Sequence, residues 1–255
     1  MNPRRRAAPQ RLDEALVARG LCPSRELAQR LIRAGAVLLN HQPADKPGRR
    51  VDPGATLALV ARPRYVSRGG DKLEHALRHF ALPVAGCVAL DLGASTGGFT
   101  DCLLQHGAAQ VCAVDVGRGQ LAWPLRQDPR VVVMEGVNAR HLTRAGFPPE
   151  ARPADLATVD CSFISLRKIL PSAVELLEPH ATIVALIKPQ FEAGRAEAAR
   201  GRGVITDPAV HERVLSELEQ FVGALSHCRW IGVTLSPLRG PAGNREFLAC
   251  IEKGP

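Results

Sequence analysis

A chain of 255 residues has room for one large domain, or for a large and a small one, and its 45% hydrophobic content supports a sizeable core. A formal net charge of +8 points to a polyanionic partner, either nucleic acid or an anionic surface. No apolar run reaches the length of a membrane span, and the 7 cysteines contain no Cys-x-x-Cys pair, which argues against an integral membrane protein and a zinc site.

The chain opens Met1-Asn2-Pro3-Arg4-Arg5-Arg6, arginines with no apolar signal core behind them. Residues 1–10 therefore read as a disordered basic arm and the expected location is the cytoplasm. Cys87, Cys102, Cys112, Cys161 and Cys250 sit in apolar runs and read as buried thiols of a reducing compartment.

Residues 11–60 read as a small α+β domain. Arg11 to Ala18 places Leu12, Ala15 and Leu16 on one helix face, and Gly20 stops it. Ser24 caps a second helix, Arg25 to Arg33, with Leu27, Leu31 and Ile32 expected inside and Gly35 closing it. A strand at 36–40, a turn at Asn40-His41 and a strand at 56–60 complete the unit. Arg11, Arg25, Arg30 and Arg33 are candidate RNA contacts; the alternative is an ordinary solvated helix face.

The pattern Arg-Leu-Asp-x-x-Leu, Ser-Arg-x-x-Ala-x-x-Leu-Ile and Gly-x-Val-x-x-Asn resembles the small RNA-binding module of a small-subunit ribosomal protein and of some pseudouridine synthases. The resemblance implies that its second helix and hairpin grip structured RNA by shape and phosphate contacts.

Residues 61–71 read as an exposed linker with two further candidate RNA contacts, Arg64 and Arg68. Tyr65, the single tyrosine, suits either stacking on a base or packing against the larger domain. Beyond the linker a helix is expected from Leu73 to Phe80. Strands follow at 87–92, 110–116, 131–135, 156–160, 182–188, 230–235 and 247–251, with a helix after each of the first five. Such alternation predicts a doubly wound parallel sheet, and the last two strands, with no helix between them, form a hairpin-like pair.

The first of these strands runs into Asp91-Leu92-Gly93-Ala94-Ser95-Thr96-Gly97-Gly98-Phe99-Thr100. This loop lacks the Gly-Lys-Ser/Thr of a phosphate loop and the Gly-x-Gly-x-x-Gly of a dinucleotide site. A carboxylate before the first glycine suits an amino-bearing ligand, and Gly97 and Gly98 are expected to let the backbone approach it. Asp115, ending the next strand, suits the hydroxyls of a ribose. An amino acid end, a ribose and no phosphates describe S-adenosylmethionine; the alternative is a ligand-free α/β loop. Asp91, Asp115, Asp160 and Lys188 all fall at strand ends, where such sheets bind ligands, and Asn138 can hydrogen-bond an adenine.

Several segments together resemble the TlyA family of ribose 2′-O-methyltransferases, related to the FtsJ-like RNA methyltransferases. They are Tyr65 to Glu74, Asp91 to Gln105, Asp115 to Leu121, Asp160 to Leu166, Ile187 to Glu192 and Gly243 to Phe247. The resemblance implies a Rossmann-like, seven-stranded class I methyltransferase sheet over residues 72–255. It implies S-adenosyl-L-methionine as cofactor, held by Asp91, Gly93, Ala94, Ser95, Thr96, Gly97, Gly98, Phe99, Asp115, Val116, Asn138 and Asp160. It implies a catalytic tetrad, Lys72, Asp160, Lys188 and Glu246, acting on ribosomal RNA in ribosomal subunits without a metal. A lysine removes a proton only in its neutral form, which burial beside a second cation favours. Arg118 departs from the family, which carries an aromatic there. Two other functions compete: a haemolysin-like membrane-active protein, for which no lytic helix is visible, and a non-catalytic assembly factor, which the four tetrad residues disfavour. Stable membrane association is not expected, and nothing in the residues fixes an oligomeric state.

Overall fold

The computed structural model describes residues 9–33, 36–59, 64–194, 197, 201, 203–240 and 242–255. The expectations for Arg4 to Arg6, Gly35, the end of the 56–60 strand and linker residues 61–63 lie outside the described residues. The chain divides into two compact units, Met1–Arg64 and Tyr65–Pro255.

In the first unit, β1 (Gln10–Arg11) leads into α1 (Leu12–Ala18), followed by α2 (Arg25–Arg33), β2 (Val37–Leu39), β3 (Gln42–Pro43), β4 (Arg50–Val51) and β5 (Leu57–Leu59). Ser24 Oγ accepts from the Leu27 amide at 3.2 Å, fixing where α2 begins. Asn40 and His41 both adopt left-handed φ, 51° and 65°, as a two-residue hairpin turn requires. The core is Leu12, Ala15, Leu16, Ala28, Ile32, Val37 and Val51. Ala28 and Ile32 carry the buried face of α2, whereas Leu27 and Leu31 are only half-buried. The expected burial of those two leucines is corrected by one step around the helix. The two-residue pairing of β1 with β4 has no counterpart in the sequence reading.

The second unit begins with α3 (Gly69–His79), which starts four residues before the expected Leu73. Gly69 and Gly70 belong to its first turn rather than to a hinge. A Cβ on Gly70 would lie 2.1 Å from the Tyr65 ring, so the glycine makes room for the buried tyrosine, which packs rather than standing free. The order continues with β6 (Val88–Leu92), α4 (Gly98–Gln105), β7 (Gln110–Asp115), α5 (Trp123–Arg126), β8 (Val131–Glu135) and β9 (Ala154–Val159). It ends with α6 (Leu170–Leu176), β10 (Leu177–Ile187), α7 (Pro189–Glu192), α8 (Pro208–Ala224), β11 (Cys228–Leu235) and β12 (Phe247–Lys253). The helix expected after β8 is absent: 3-10 turns at Ala139–His141 and Arg144–Gly146 take its place. The prolines at 148, 149 and 153 in this segment deny a longer helix its backbone donors, and Gly146 is a poor helix former.

The strands form one seven-stranded sheet in the order β11-β12-β10-β9-β6-β7-β8. β8, β7, β6, β9 and β10 run parallel, and β12 is antiparallel to both β10 and β11. Alternation along each strand splits the core in two. Val88, Leu90, Leu92, Val159 and Ile183 face α6 and α8, packing on Leu170, Ala173, Val214 and Leu218. Ala89, Val111, Leu156, Val184 and Leu186 face α3 and α4, packing on Leu73, Leu77, Phe99 and Leu103. β6 and β9 are neighbours whose following helices lie on opposite faces. The chain parts between them, leaving a crevice at their carboxyl ends.

Candidate active site

Two adjoining cavities occupy that crevice. The first, 440 Å³, is lined by Asp115, Val116, Gln120, Asn138, Phe163 and Ile169 among others. The second, 270 Å³, contains Lys72, Asp160, Lys188 and Glu246 together with Ser67 and Arg68. Gly93, Ser95, Asp160 and Ser162 line both. Their sizes suit a small-molecule pocket with a smaller reaction chamber beside it.

Each lysine of the second cavity meets a carboxylate. Lys72 Nζ donates to Glu246 Oε2 at 2.5 Å, across 174 residues of sequence. Lys188 Nζ forms an ion pair with Asp160 Oδ1 at 2.6 Å and donates to Ser162 Oγ at 2.8 Å and to the Cys161 carbonyl at 3.2 Å. Both lysines are 8% exposed and Glu246 is 1% exposed. Two buried cations and two carboxylates thus balance one another, as buried charges must. Asp160 follows β9 directly, Lys188 follows β10 and Glu246 precedes antiparallel β12, so three strand ends of one sheet edge deliver them. Lys72 comes from the first turns of α3.

Asp115 closes the first cavity at the end of β7. Its carboxylate accepts from the amides of Ser95 at 2.8 Å and Gly117 at 2.7 Å. Asn138 caps the 3-10 turn, its Oδ1 accepting from the Arg140 amide at 3.0 Å, and it is exposed at the cavity wall. Burial, then the charge of Asp160, pushes the Cys161 thiol up to about 12, so it stays protonated beside Lys188. Phe163 is 90% exposed at the mouth, in left-handed conformation, its ring 5.2 Å from that of Phe191.

The structure corrects several expectations. Asp91 does not reach either cavity. β6 runs on through Leu92, so alternation turns the Asp91 side chain towards α4, where it is 0% exposed. There it accepts from Thr100 Oγ1 at 2.7 Å and Thr158 Oγ1 at 2.8 Å. Burial raises its carboxyl from 3.8 to about 6 against the opposing pull of those hydroxyls. Gly97, which lines neither cavity, makes room for the protein itself, whereas Gly98 lines the second cavity and also lets Ser67 approach. A Cβ on Gly97 would lie 2.3 Å from Leu125 Cδ1, and one on Gly98 2.2 Å from Ser67 Oγ. Gly93, at φ +89°, packs against the backbone of Asp160, where a Cβ would lie 2.7 Å from the carbonyl oxygen. Ala94 and Thr96 line the second cavity with Phe99, and Val116 lines the first. Cys87 and Cys161 are half-buried rather than buried, and all seven cysteines are free thiols.

Among the candidate RNA contacts of the first unit, two are already engaged. Asp13, 0% exposed, takes Arg11 Nε at 3.0 Å, Arg25 Nε at 3.1 Å and Gln29 Nε2 at 2.7 Å. Burial opposes its charge, but these donors prevail and hold its carboxyl well below the usual range. Arg25, with Gln29, therefore binds α2 to α1, while Arg11 pairs with carboxylates of α1 itself. Arg30 and Arg33 are exposed and meet no carboxylate among the described residues. In the second unit Arg68 is exposed at the wall of the Lys72 cavity; in the first, Arg64 is exposed.

Four further residues shape the site without having been given a role from the sequence, three of them inside the family-like segments. Ser162 orients Lys188, and its place two residues after Asp160 was the available signal. Glu135, held down at about 2 chiefly by the Gly119 amide and also by Arg126, ties the loop after Asp115 in place. Glu192 accepts from Ser165 Oγ at 2.6 Å and the Leu166 amide at 2.8 Å. Asn244, 1% exposed, accepts from the Ile205 amide and donates to the Gly203 carbonyl, both at 2.8 Å, fastening the segment after α7 to the loop before β12. Arg118 lies against Gly136 and is not in the cavity wall.

A Rossmann-like sheet with an antiparallel seventh strand, a glycine loop at its crevice and a lysine–carboxylate cluster beside it defines an α/β methyltransferase. The chain belongs to the FtsJ-like methyltransferase family, whose model matches residues 65–253, and an S4 domain model matches residues 10–57. It is 51% identical to the Bacillus subtilis protein YqxC, provisionally named an rRNA methyltransferase, over 94% of this chain and 84% of that one. It is 48% identical to the 16S/23S rRNA (cytidine-2′-O)-methyltransferase TlyA of Mycobacterium tuberculosis, over 93% of this chain and 87% of that one. A solved Streptococcus thermophilus structure, provisionally named a hemolysin, superposes with a TM-score of 0.73 at 44% identity, covering 97% and 89% of the two chains. Among the described residues no helix is long and apolar enough to cross a membrane.

Proposed function

We propose that the protein transfers a methyl group from S-adenosylmethionine to ribose 2′-hydroxyls of ribosomal RNA, in the small or the large subunit, with cytidine the favoured nucleoside by likeness to the TlyA relative. The observation that carries this reading is the shared wall: a cofactor-sized cavity and a chamber with two lysines and two carboxylates meet at Gly93, Ser95, Asp160 and Ser162. The cofactor fits the first cavity by its chemistry. Asp115 offers a carboxylate to ribose hydroxyls, Asn138 an amide to a base, and Val116 and Ile169 an apolar slot. That group supplies an electrophilic methyl.

The chain's own residues do the rest. A ribose hydroxyl is a weak nucleophile and loses its proton as it attacks. Lys188 accepts that proton at Nζ, with Asp160, Ser162 Oγ and the Cys161 carbonyl fixing the amine's position. Lys72, held by Glu246, places a second positive charge in the same chamber, where it stabilises oxyanion character on the hydroxyl. The S4-like unit offers Arg30 and Arg33 to structured RNA.

The test is methyl transfer to ribosomal subunits at saturating cofactor, with cofactor and RNA binding measured separately. Lys188→Ala should lose on the order of 10²–10⁴-fold in turnover, with both affinities near wild type. Lys188→Arg should not rescue, because a guanidinium gives up no proton at working pH. Full activity in Lys188→Arg rules out the base role.

A further inference from the structure

The arginines of the second unit fall into two groups. Arg78, Arg126, Arg130, Arg144, Arg167, Arg213 and Arg229 each meet a carboxylate. Arg68, Arg118, Arg140, Arg152, Arg239 and Arg245 meet none among the described residues, and all but Arg152 sit at the sheet edge that carries the two cavities. Arg239 and Arg245 share a 200 Å³ pocket with Ile205, Thr206, Pro208 and Gly243. This pocket lies next to the tetrad in sequence and space, because Arg245 is exposed while its neighbour Glu246 is buried against Lys72.

The pocket is rigidly built. Gly240 donates its amide to the Asn244 carbonyl at 3.0 Å and Gly243 donates to the Gly240 carbonyl at 2.9 Å, closing the loop on itself. The buried Asn244 side chain fastens the loop to Gly203 and Ile205 across the pocket floor. Arg239 donates through one guanidinium nitrogen to the Gly243 carbonyl at 3.2 Å, and the residue is exposed. Asp207, the nearby carboxylate, is committed to the Ala209 amide at 2.9 Å as the cap of α8. Two uncompensated guanidinium groups held on a fixed loop suit a tetrahedral anion, which arginine grips through paired N–H donors.

We propose that Arg239 and Arg245 form a phosphate seat for the RNA backbone next to the nucleotide being methylated. It sets which ribose along the strand lies over Lys188, a positioning role rather than a catalytic one. This rests on the methyl-transfer reading given above, and the experiment separates the two.

The measurement compares wild type, Arg239→Ala/Arg245→Ala, Arg239→Lys/Arg245→Lys and, as a charge-balanced control, Arg229→Ala. Each full-length protein is titrated with a fluorescent RNA oligonucleotide carrying the methylated region at several salt concentrations, and assayed for methyl transfer to ribosomal subunits. Two lost phosphate contacts should lower the slope of log affinity against log salt by about 1.4 on single-stranded RNA, or about 25-fold in affinity at 0.1 M salt. KM for subunits should rise with it, kcat and cofactor affinity should hold, the lysine pair should restore most of the slope, and Arg229→Ala should match wild type. An unchanged salt slope in the double alanine variant overturns the seat. So does binding to phosphatidylglycerol vesicles that is lost in that variant while RNA affinity stays the same. If wild type methylates no RNA, the reaction assigned above fails, and the slope alone then decides whether the seat exists.

Discussion

Asp91 gives the sharpest quantitative test. Its carboxyl is fully buried and titrates near 6 instead of 3.8, mainly because burial disfavours the charged form and secondarily because Asp160 is negative, with Thr100 and Thr158 opposing. Between those two values the native state holds a proton that the unfolded chain has released, so stability falls as pH rises. The contribution is fully present below about 3.8 and is lost as pH passes through about 6. The size is set by the rise from 3.8 to about 6, worth about 3 kcal/mol. Asp91→Asn cannot ionise. Its amide keeps one acceptor for a threonine and must donate to the other, a rearrangement costing about 1 kcal/mol. The assay is urea unfolding of both proteins at pH 4, 5, 6 and 7. Relative to wild type, the variant should gain about 2.4 kcal/mol on going from pH 4 to pH 7, the rest of the shift lying below pH 4. Carboxylates such as Asp13, which are held low, lose their contribution as pH falls, and they cancel in the difference. Parallel stability curves for the two proteins would refute the buried-carboxyl argument.

Asp13→Ala should loosen the packing of α1 on α2 by about 2 kcal/mol, because Arg11, Arg25 and Gln29 lose their common acceptor. Amide exchange of α1 in the full chain reads this directly, and protection equal to wild type would show that the cluster does not stabilise. Gly97→Ala forces a side chain into a left-handed position against Leu121 and Leu125 and should cost about 2–4 kcal/mol in denaturant unfolding; a neutral result would mean the loop relaxes freely. Asp115→Ala should weaken S-adenosylmethionine binding by about 10- to 100-fold by calorimetric titration, and an unchanged Kd removes Asp115 from the site.

The sheet was legible because its strands are short apolar runs ending in polar residues, and six of the seven strands begin or end within two residues of their expected bounds while β10 starts earlier, at Leu177, before a register shift. The Asn40-His41 turn was legible because asparagine tolerates the left-handed region. Other features had no local signal. Alternation along β6 turns Asp91 towards α4, but which face of the sheet adjoins the cavities is a property of topology. The space beside Gly97 is filled by leucines more than 20 residues on, a contact that a loop motif does not reveal. Arg25 reads as a surface charge until Asp13, 12 residues earlier, is seen beneath it. Lys72, Asp160, Lys188 and Glu246 were named together through family resemblance; their spacing carries no periodicity, and the sheet edge that unites them is a property of topology.

The placement of β12 has a consequence for how the molecule forms. β10 lies between β9 and β12; its run Thr182–Ile187 pairs with β12, and Thr182 to Ala185 of it also pair with β9. α8 and β11 intervene in sequence before β12 arrives. During that interval Thr-Ile-Val-Ala-Leu-Ile stands as a sheet edge, apolar, β-prone and uncharged, the kind of segment that recruits other strands. Closing it demands a long-range antiparallel pairing, a slow kind of contact to make. The same event carries Glu246 to Lys72. Folding to solubility and folding to competence are therefore one step, and a chain that stalls before it is at once inactive and sticky.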